Sequence, residues 1–487
     1  MVKKIAFFFT VLTAVVVFHS FFYRYPSSLY NDNASTDLDS IRKRGKLIAL
    51  TDFNSTDYFI YKGEPMGFNY ELLKSFTRHL GIGLEIITEN DLDKAVELLQ
   101  SGKADLMAIG MPENTSGTKE LEFSEPVDET RHVLVSRRNG KYSADPYAPK
   151  QNQARDQLGL GKNTIYIQTG FSEIESLYNL ASSMGDSINI LDVPYEQEKL
   201  IRYVAEGIID YTVCDENVAL VNSTYYPTID ISTPAGPVQK LAWSVRNDTD
   251  TLLFELNSWI KDFMNSREYA FLYAKYFRNS RSGIIIRSDY YANETGKISR
   301  YDDMIRKYSA HINWDWRLIA SLICQESRFN PGVESGAGAY GLMQIMPVTG
   351  EYLGIDVKAS TENNIIAGIK YIDRLHSIFD PKIPDEEERI NFILAAYNAG
   401  PGHVLDAMKL AEKYGRDPCK WEGNVEDWLL KKSEPQHYND SLVKNGYFRG
   451  VESVNFVAQV LDRYSHYKNV IPEVKLKKEK FPAYYAD

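Results

Sequence analysis

A chain of 487 residues, 44% hydrophobic and 25% charged, is longer than one core usually supports, so it is expected to form two or three folded, water-soluble domains. A net charge of −11 without a concentrated basic block excludes nucleic acid as an expected partner. Cys214, Cys324 and Cys419 are too few and too widely spaced for a disulfide framework or a metal signature, and read as small buried hydrophobes.

Lys3 and Lys4 precede an uncharged apolar run from Ile5 to Phe22. Positive charge before an apolar segment is an export pattern, so everything after Tyr23 is expected outside the inner membrane. Residues 1–28 are assigned to this segment. The run is about long enough to span a bilayer and no Ala-x-Ala site follows it, which leaves an uncleaved anchor and a removed signal peptide both open. Either way a periplasmic protein is expected, with the anchored form membrane-associated and its membrane face unresolved.

From residue 38 to 278 short β-type runs alternate with amphipathic helices. "KLIALTDF", "LEIITE", "TIYIQTG" and "INILDV" read as strands, and "MGFNYELLKSFTRHLG" as a helix closed by Gly81. "LDKAVELLQSGKADLMAIG" and "YEQEKLIRYVAEGIIDYTVCD" each read as helix then strand, and "DTLLFELNSWIKDFMNSREYAFLYAKYF" as one closing helix. Two α/β lobes follow, with a ligand crevice expected at the carboxyl ends of the strands. The segments "GFNYELLKSFTRHLGIGLEII", "LQSGKADLMAIGM", "LEFSEPV", "YIQTGFS" and "VAEGIIDYTVCD" resemble the two-lobed periplasmic solute-binding proteins of the polar amino-acid class. That resemblance implies a small peptide or amino-acid ligand whose amino group meets Asp215; local capping or pairing of Asp215 is the alternative. The arginine that clamps a ligand carboxylate in that family is missing, Gly117 standing at its expected position. Lys119 nearby supplies only a point charge, not a bidentate fork.

Residues 279–299 mix a short apolar run with polar residues and glycine and are expected to be a linker. The rest, 300–470, shows helical spacing of apolar residues punctuated by Gly, Pro and Asn, before a charged tail at 471–487. The expected architecture is therefore multidomain, a two-lobed α/β periplasmic-binding-protein-like domain followed by a mainly α, lysozyme-like one.

One carboxylate in the helical part is out of place. Ile319, Leu322, Ile323 and Glu326 follow the spacing of a single buried stripe, and Asn330-Pro331 ends the helix soon after. Burial and the negative end of the helix dipole both disfavour ionisation, so a protonated glutamic acid near neutral pH is expected, suited to protonating a glycosidic oxygen. The competing reading turns Glu326 outward or pairs it with Arg328.

The ordered set "ESRFNP", "SGAGAYGLMQIMP" and "AAYNAGPG" resembles the soluble-lytic-type lytic transglycosylases, relatives of goose-type lysozyme, over residues 301–467. The resemblance implies an enzyme that cleaves the β-1,4 bond from N-acetylmuramic acid to N-acetylglucosamine in peptidoglycan glycan strands. Glu326 matches the catalytic acid and base and Ser327 a residue near the reacting sugar. Met343 and Gln344 match groove residues, while Tyr397 and Asn398 match positions at the scissile site. Glu452 is retained in the late motif "ESVNFV", which has Ser453 for threonine and Phe456 for tyrosine. Such enzymes need one carboxylate because the sugar's own 6-hydroxyl attacks, leaving 1,6-anhydro ends; two-carboxylate hydrolysis is the contrast. A muramidase-type hydrolase, with Glu452 holding water, and a non-catalytic wall-binding receptor are the alternatives. No cofactor and no metal is expected.

Overall fold

The computed structural model describes residues 37–112, 120–138, 164–169, 177–178, 189–278, 285, 288 and 290–471. The apolar run Ile5–Phe22, Gly117, Lys119 and the tail from 472 lie outside the described residues. Among the described residues no helix is long and apolar enough to cross a membrane.

The alternating runs build two five-stranded sheets. Their strands are β1 (Lys46–Thr51), β4 (Gly83–Thr88), β5 (Leu106–Met111), β6 (Leu121–Thr130), β7 (His132–Arg137), β8 (Thr164–Gln168), β9 (Asn189–Val193), β10 (Tyr211–Asp215), β11 (Ile229–Pro234) and β12 (Gln239–Arg246). The short strands β2 (Phe59–Tyr61) and β3 (Glu64–Met66) form a separate hairpin. The first sheet runs β4-β1-β5-β12-β6, with β1 parallel to β4 from Lys46 opposite Gly83 to Thr51 opposite Thr88. The second runs β11-β7-β10-β8-β9, with β8 parallel to both neighbours. The chain leaves the first sheet after β6 and returns to it through β12, so the crevice between lobes is crossed twice. Asp52, Gln168 and Asp215 stand at the carboxyl ends of β1, β8 and β10, where such sheets expose their ligand crevice.

Local chemistry explains the element ends. The Phe68–Leu80 helix buries Leu72, Leu73 and Phe76 and stops at Gly81, whose φ of 72° is left-handed, as the sequence predicts. The predicted single closing helix is instead two, Asp250–Met264 and Arg267–Tyr273, because the Ser266 hydroxyl accepts from the Tyr269 N–H and starts a new helix.

The helical region packs around Trp316–Ser327, which Asp315 caps by accepting from the Arg317 N–H. Every residue from Trp316 to Cys324 is buried, so this helix is surrounded by protein and lacks the one-sided stripe read from the sequence. Thr361–Phe379, Glu386–Ala399 and Val451–Val470 supply much of the shared core. The Ser321 hydroxyl donates to the Val460 carbonyl at 2.6 Å and ties the central helix to the last.

The two regions also meet directly. Lys62 and Gly63, with φ of 51° and 79°, make the tight turn between β2 and β3, and the Gly63 carbonyl accepts from the Tyr467 hydroxyl at 2.7 Å. Buried His466 lies between the Tyr58 hydroxyl, 2.7 Å from Nδ1, and that of Tyr70, 3.4 Å from Nε2. Desolvation pushes its pKa down to about 3, so this contact is made by a neutral ring. Asn469 donates to the Ile86 carbonyl at 2.5 Å, and its own carbonyl accepts from Thr88 on edge strand β4.

Candidate active site

Glu326 occupies the last turn of the Trp316–Ser327 helix. Arg328 ends the helix in the left-handed region, at φ 49°, and Phe329 follows at φ 59°. Two successive non-glycine residues there cost roughly 1–2 kcal/mol each, and the bend they make stops the helix immediately after the carboxylate. Glu326 is half-buried, and burial alone raises its pKa to about 8. Among the described residues it has no ion pair or hydrogen bond, and Arg328 is exposed and not its partner. No carboxylate contributes to its shift.

Tyr397, buried at the end of the Glu386–Ala399 helix, has its phenol pKa raised by burial first and then by the Glu326 charge. Its hydroxyl donates to the Met343 carbonyl at 2.6 Å, and its ring centre lies 5.5 Å from that of Tyr371. Asn398 is exposed beside it, and its side-chain oxygen accepts from the Ser453 hydroxyl at 2.6 Å. Ser453 therefore does with a serine hydroxyl what the motif's threonine could do. Phe456 is buried in the main apolar cluster and brings no polar group to the site.

The Gly-Leu-Met-Gln segment is a turn held from below. The Ser327 hydroxyl donates to the Leu342 carbonyl at 2.8 Å, so this side chain ties the Glu326 helix to the turn. Gln344, at φ 47°, spends its amide hydrogens on the Val333 and Gly341 carbonyls and keeps its amide oxygen as an acceptor. The Met343 side chain is fully enclosed against Gly368 and does not line a groove; a β-carbon on Gly368 would come within 2.2 Å of its sulfur. What Met343 offers the site is its backbone, whose carbonyl holds Tyr397. Asn364, which sequence reading passed over, accepts from the Met343 N–H at 2.9 Å and donates to the Tyr340 carbonyl at 2.8 Å while almost wholly buried. A lone asparagine in the apolar phase of "ENNIIAGI" was the available signal. Gly341 sits over it at φ 80°, where a β-carbon would lie 2.5 Å from the Asn364 amide.

Glu452 is separate from this arrangement. Its side chain is 76% exposed in the first turn of Val451–Val470, with Arg449 at 3.9 Å. Glu334 pairs with Lys358 at 3.2 Å on the surface, and Glu351 is exposed. In the first region Asp215 does face the crevice, with His132 at 3.4 Å and Gln197 beside it.

A half-buried, proton-retaining acid whose helix is tied to an anchored turn, with Tyr397 near enough to feel its charge, is an arrangement suited to breaking a glycosidic bond. Residues 303–419 match the family described as Transglycosylase SLT domain, and residues 47–279 match Bacterial extracellular solute-binding proteins, family 3. The chain is a peptidoglycan lytic transglycosylase, a glycosidic bond lyase, with a solute-binding-like domain ahead of a lysozyme-like helical one. It is 32% identical to membrane-bound lytic murein transglycosylase F of Desulfosudis oleivorans over 93% of this chain and 95% of the relative. The protein of the same name from Pseudomonas fluorescens strain Pf-5 is 29% identical over 88% and 85% of the two chains. The chain belongs to the membrane-bound lytic murein transglycosylase F family. Among solved structures, the ancestral amino acid-binding protein AncCDT-1 aligns at 22% identity with TM-score 0.42, covering 50% of this chain and all of that one. A mutant of ArgBP from T. maritima aligns at 23% identity and TM-score 0.41, covering 50% and 99%.

Proposed function

We propose that Glu326 is the single acid and base of the cleavage, and that the product carries a 1,6-anhydro-muramic acid end. The carrying observation is a carboxyl held protonated near neutral pH by burial alone, with no carboxylate electrostatically coupled to it. Glu326 gives its proton to the glycosidic oxygen, the bond from that oxygen to C1 breaks, and the muramic acid 6-hydroxyl closes on C1. The hydroxyl proton returns to Glu326, so no water is consumed and the enzyme is regenerated. The half-exposed Gln344 amide oxygen and the exposed Asn398 are suited to meet sugar hydroxyl and N-acetyl groups. Tyr397 and Ser327 act from below, fixing the turn and the helix. The exposure of Glu452 counts against its holding a water for hydrolysis. Glu326→Gln, which keeps the shape and cannot donate a carboxyl proton, should abolish release of soluble muropeptides from purified sacculi while the protein still sediments with them. Full release by the variant would remove Glu326 from the mechanism.

The protein is proposed to work in the periplasm, membrane-associated through its N-terminal segment, in keeping with the membrane-bound relatives. The first region, about 38–278, is proposed as a sensor or positioning domain joined to the lytic domain, about 300–470. The hairpin supports this: its base adjoins the Asn54–Asp57 loop of the crevice, and its tip contacts Cys324, two residues from Glu326.

A further inference from the structure

The crevice between the two lobes is an open cavity lined by residues of both, the kind of inter-lobe position where small molecules bind. Asp52, Asp57 and Asp128 enter it from the first lobe, and Glu196, Glu198 and Asp215 from the second. No lysine, arginine or histidine is among the described residues that line it. The described partners of these carboxylates are mostly neutral. Asp57 accepts from Asn54 and Asn69, Asp128 from Asn217 at 2.7 Å, and Glu196 from Gln168 at 3.0 Å. Glu198 accepts from the Ser55 N–H and hydroxyl, both at 2.9 Å, which joins the lobes. Among the described residues only Asp215 has a titratable partner of opposite charge, His132.

A second feature is independent of the charge. Thr130, on the same wall and only 4% exposed, has a hydroxyl with no hydrogen-bond partner among the described residues, and the same holds for Asp52 Oδ1. Buried polar atoms are nearly always satisfied, so an unmatched hydroxyl and carboxylate oxygen on one cavity wall point to a bound group that completes them.

We propose that this crevice binds a ligand carrying two or more alkylammonium groups, spanning the lobes, and does so without clamping a carboxylate. Each ammonium brings three donors and one positive charge, which complement acceptor-only carboxylates. An amino-acid carboxylate entering the same space would meet six acidic side chains and, among the described residues, no lining cation. A single metal ion is a poorer fit: among the described residues no three His, Cys, Asp or Glu side chains converge on one point. The protonation of the empty site is consistent. Burial first, then neighbouring carboxylates, raises Asp57 to about 6 and Asp128 to about 7, and a cation among them removes the repulsive part of that cost.

The inference concerns the first domain and is read by direct binding, so it stands or falls separately from the assignment of Glu326. The test is isothermal titration of the full-length protein with 1,4-diaminobutane and spermidine, and with L-alanine and magnesium chloride as the zwitterionic and plain-cation probes. The diamine or triamine should bind at least tenfold more tightly than either control. Asp57→Asn combined with Asp128→Asn should weaken that binding at least tenfold, with circular dichroism confirming the fold; the wild-type comparison decides the matter if the double variant does not fold. Alanine or magnesium binding as tightly as the amines, no amine binding, or undiminished binding by the folded double variant would overturn the proposal.

Discussion

Glu326 is stabilising to function and costly to the fold. Its folded pKa of about 8 stands above the ordinary 4.5, so below pH 4.5 the carboxyl is neutral whether the chain is folded or not and costs nothing. Between 4.5 and 8 the unfolded chain ionises and the folded one resists, and stability drains away as pH rises through that window. Glu326→Gln should therefore melt with the wild type at pH 4 and be more stable at pH 8, by about 2 kcal/mol once the half-exposed position is discounted. Thermal melts across this range check the sign. Equal shifts at both pH values would mean the carboxylate is not desolvated. Much at this scale was legible in the chain: an acid among Leu322, Ile323 and Cys324 just before Asn330-Pro331 announces both burial and the helix end. Met343 was less so, because a motif position does not say whether its side chain or its backbone does the work.

At the scale of elements, the Gly341–Gln344 turn depends on one buried amide. Asn364→Ala strands the Met343 N–H and the Tyr340 carbonyl inside the protein, and each unsatisfied group costs about 1–3 kcal/mol. The variant should lose about 3 kcal/mol in urea unfolding and most of its lytic rate, because Tyr397 and Ser327 both bind that turn. An active variant of wild-type stability would show that the turn holds itself. Helices and strands of the crevice domain followed the apolar period closely. The departures came where side chains compete with the period: Ser266 caps a new helix inside an apolar run, and the Lys62-Gly63 turn hides a hairpin in residues too few to show alternation. The central helix lost its predicted stripe because neighbours cover all its faces, which no single-segment pattern encodes.

At the scale of the whole molecule, the hairpin tip is one place where the two regions fit tightly. A β-carbon on Gly63 would lie 2.6 Å from the Tyr467 hydroxyl and 2.7 Å from the Phe329 ring. Gly63→Ala should cost about 1–3 kcal/mol by overpacking and separate one calorimetric transition into two, as the regions uncouple. A single unchanged transition would mean that the contact carries no stability. The order of the two domains was readable from sequence, whereas this seam was not, since it joins residues some 400 positions apart. The central claim, that one sheltered acid suffices because the sugar supplies its own nucleophile, is tested most directly by mass spectrometry of muropeptides released from borohydride-treated digests of purified sacculi. The account predicts ends one water lighter than hydrolysed ones and unchanged by borohydride; reducible ends carrying that water would contradict it.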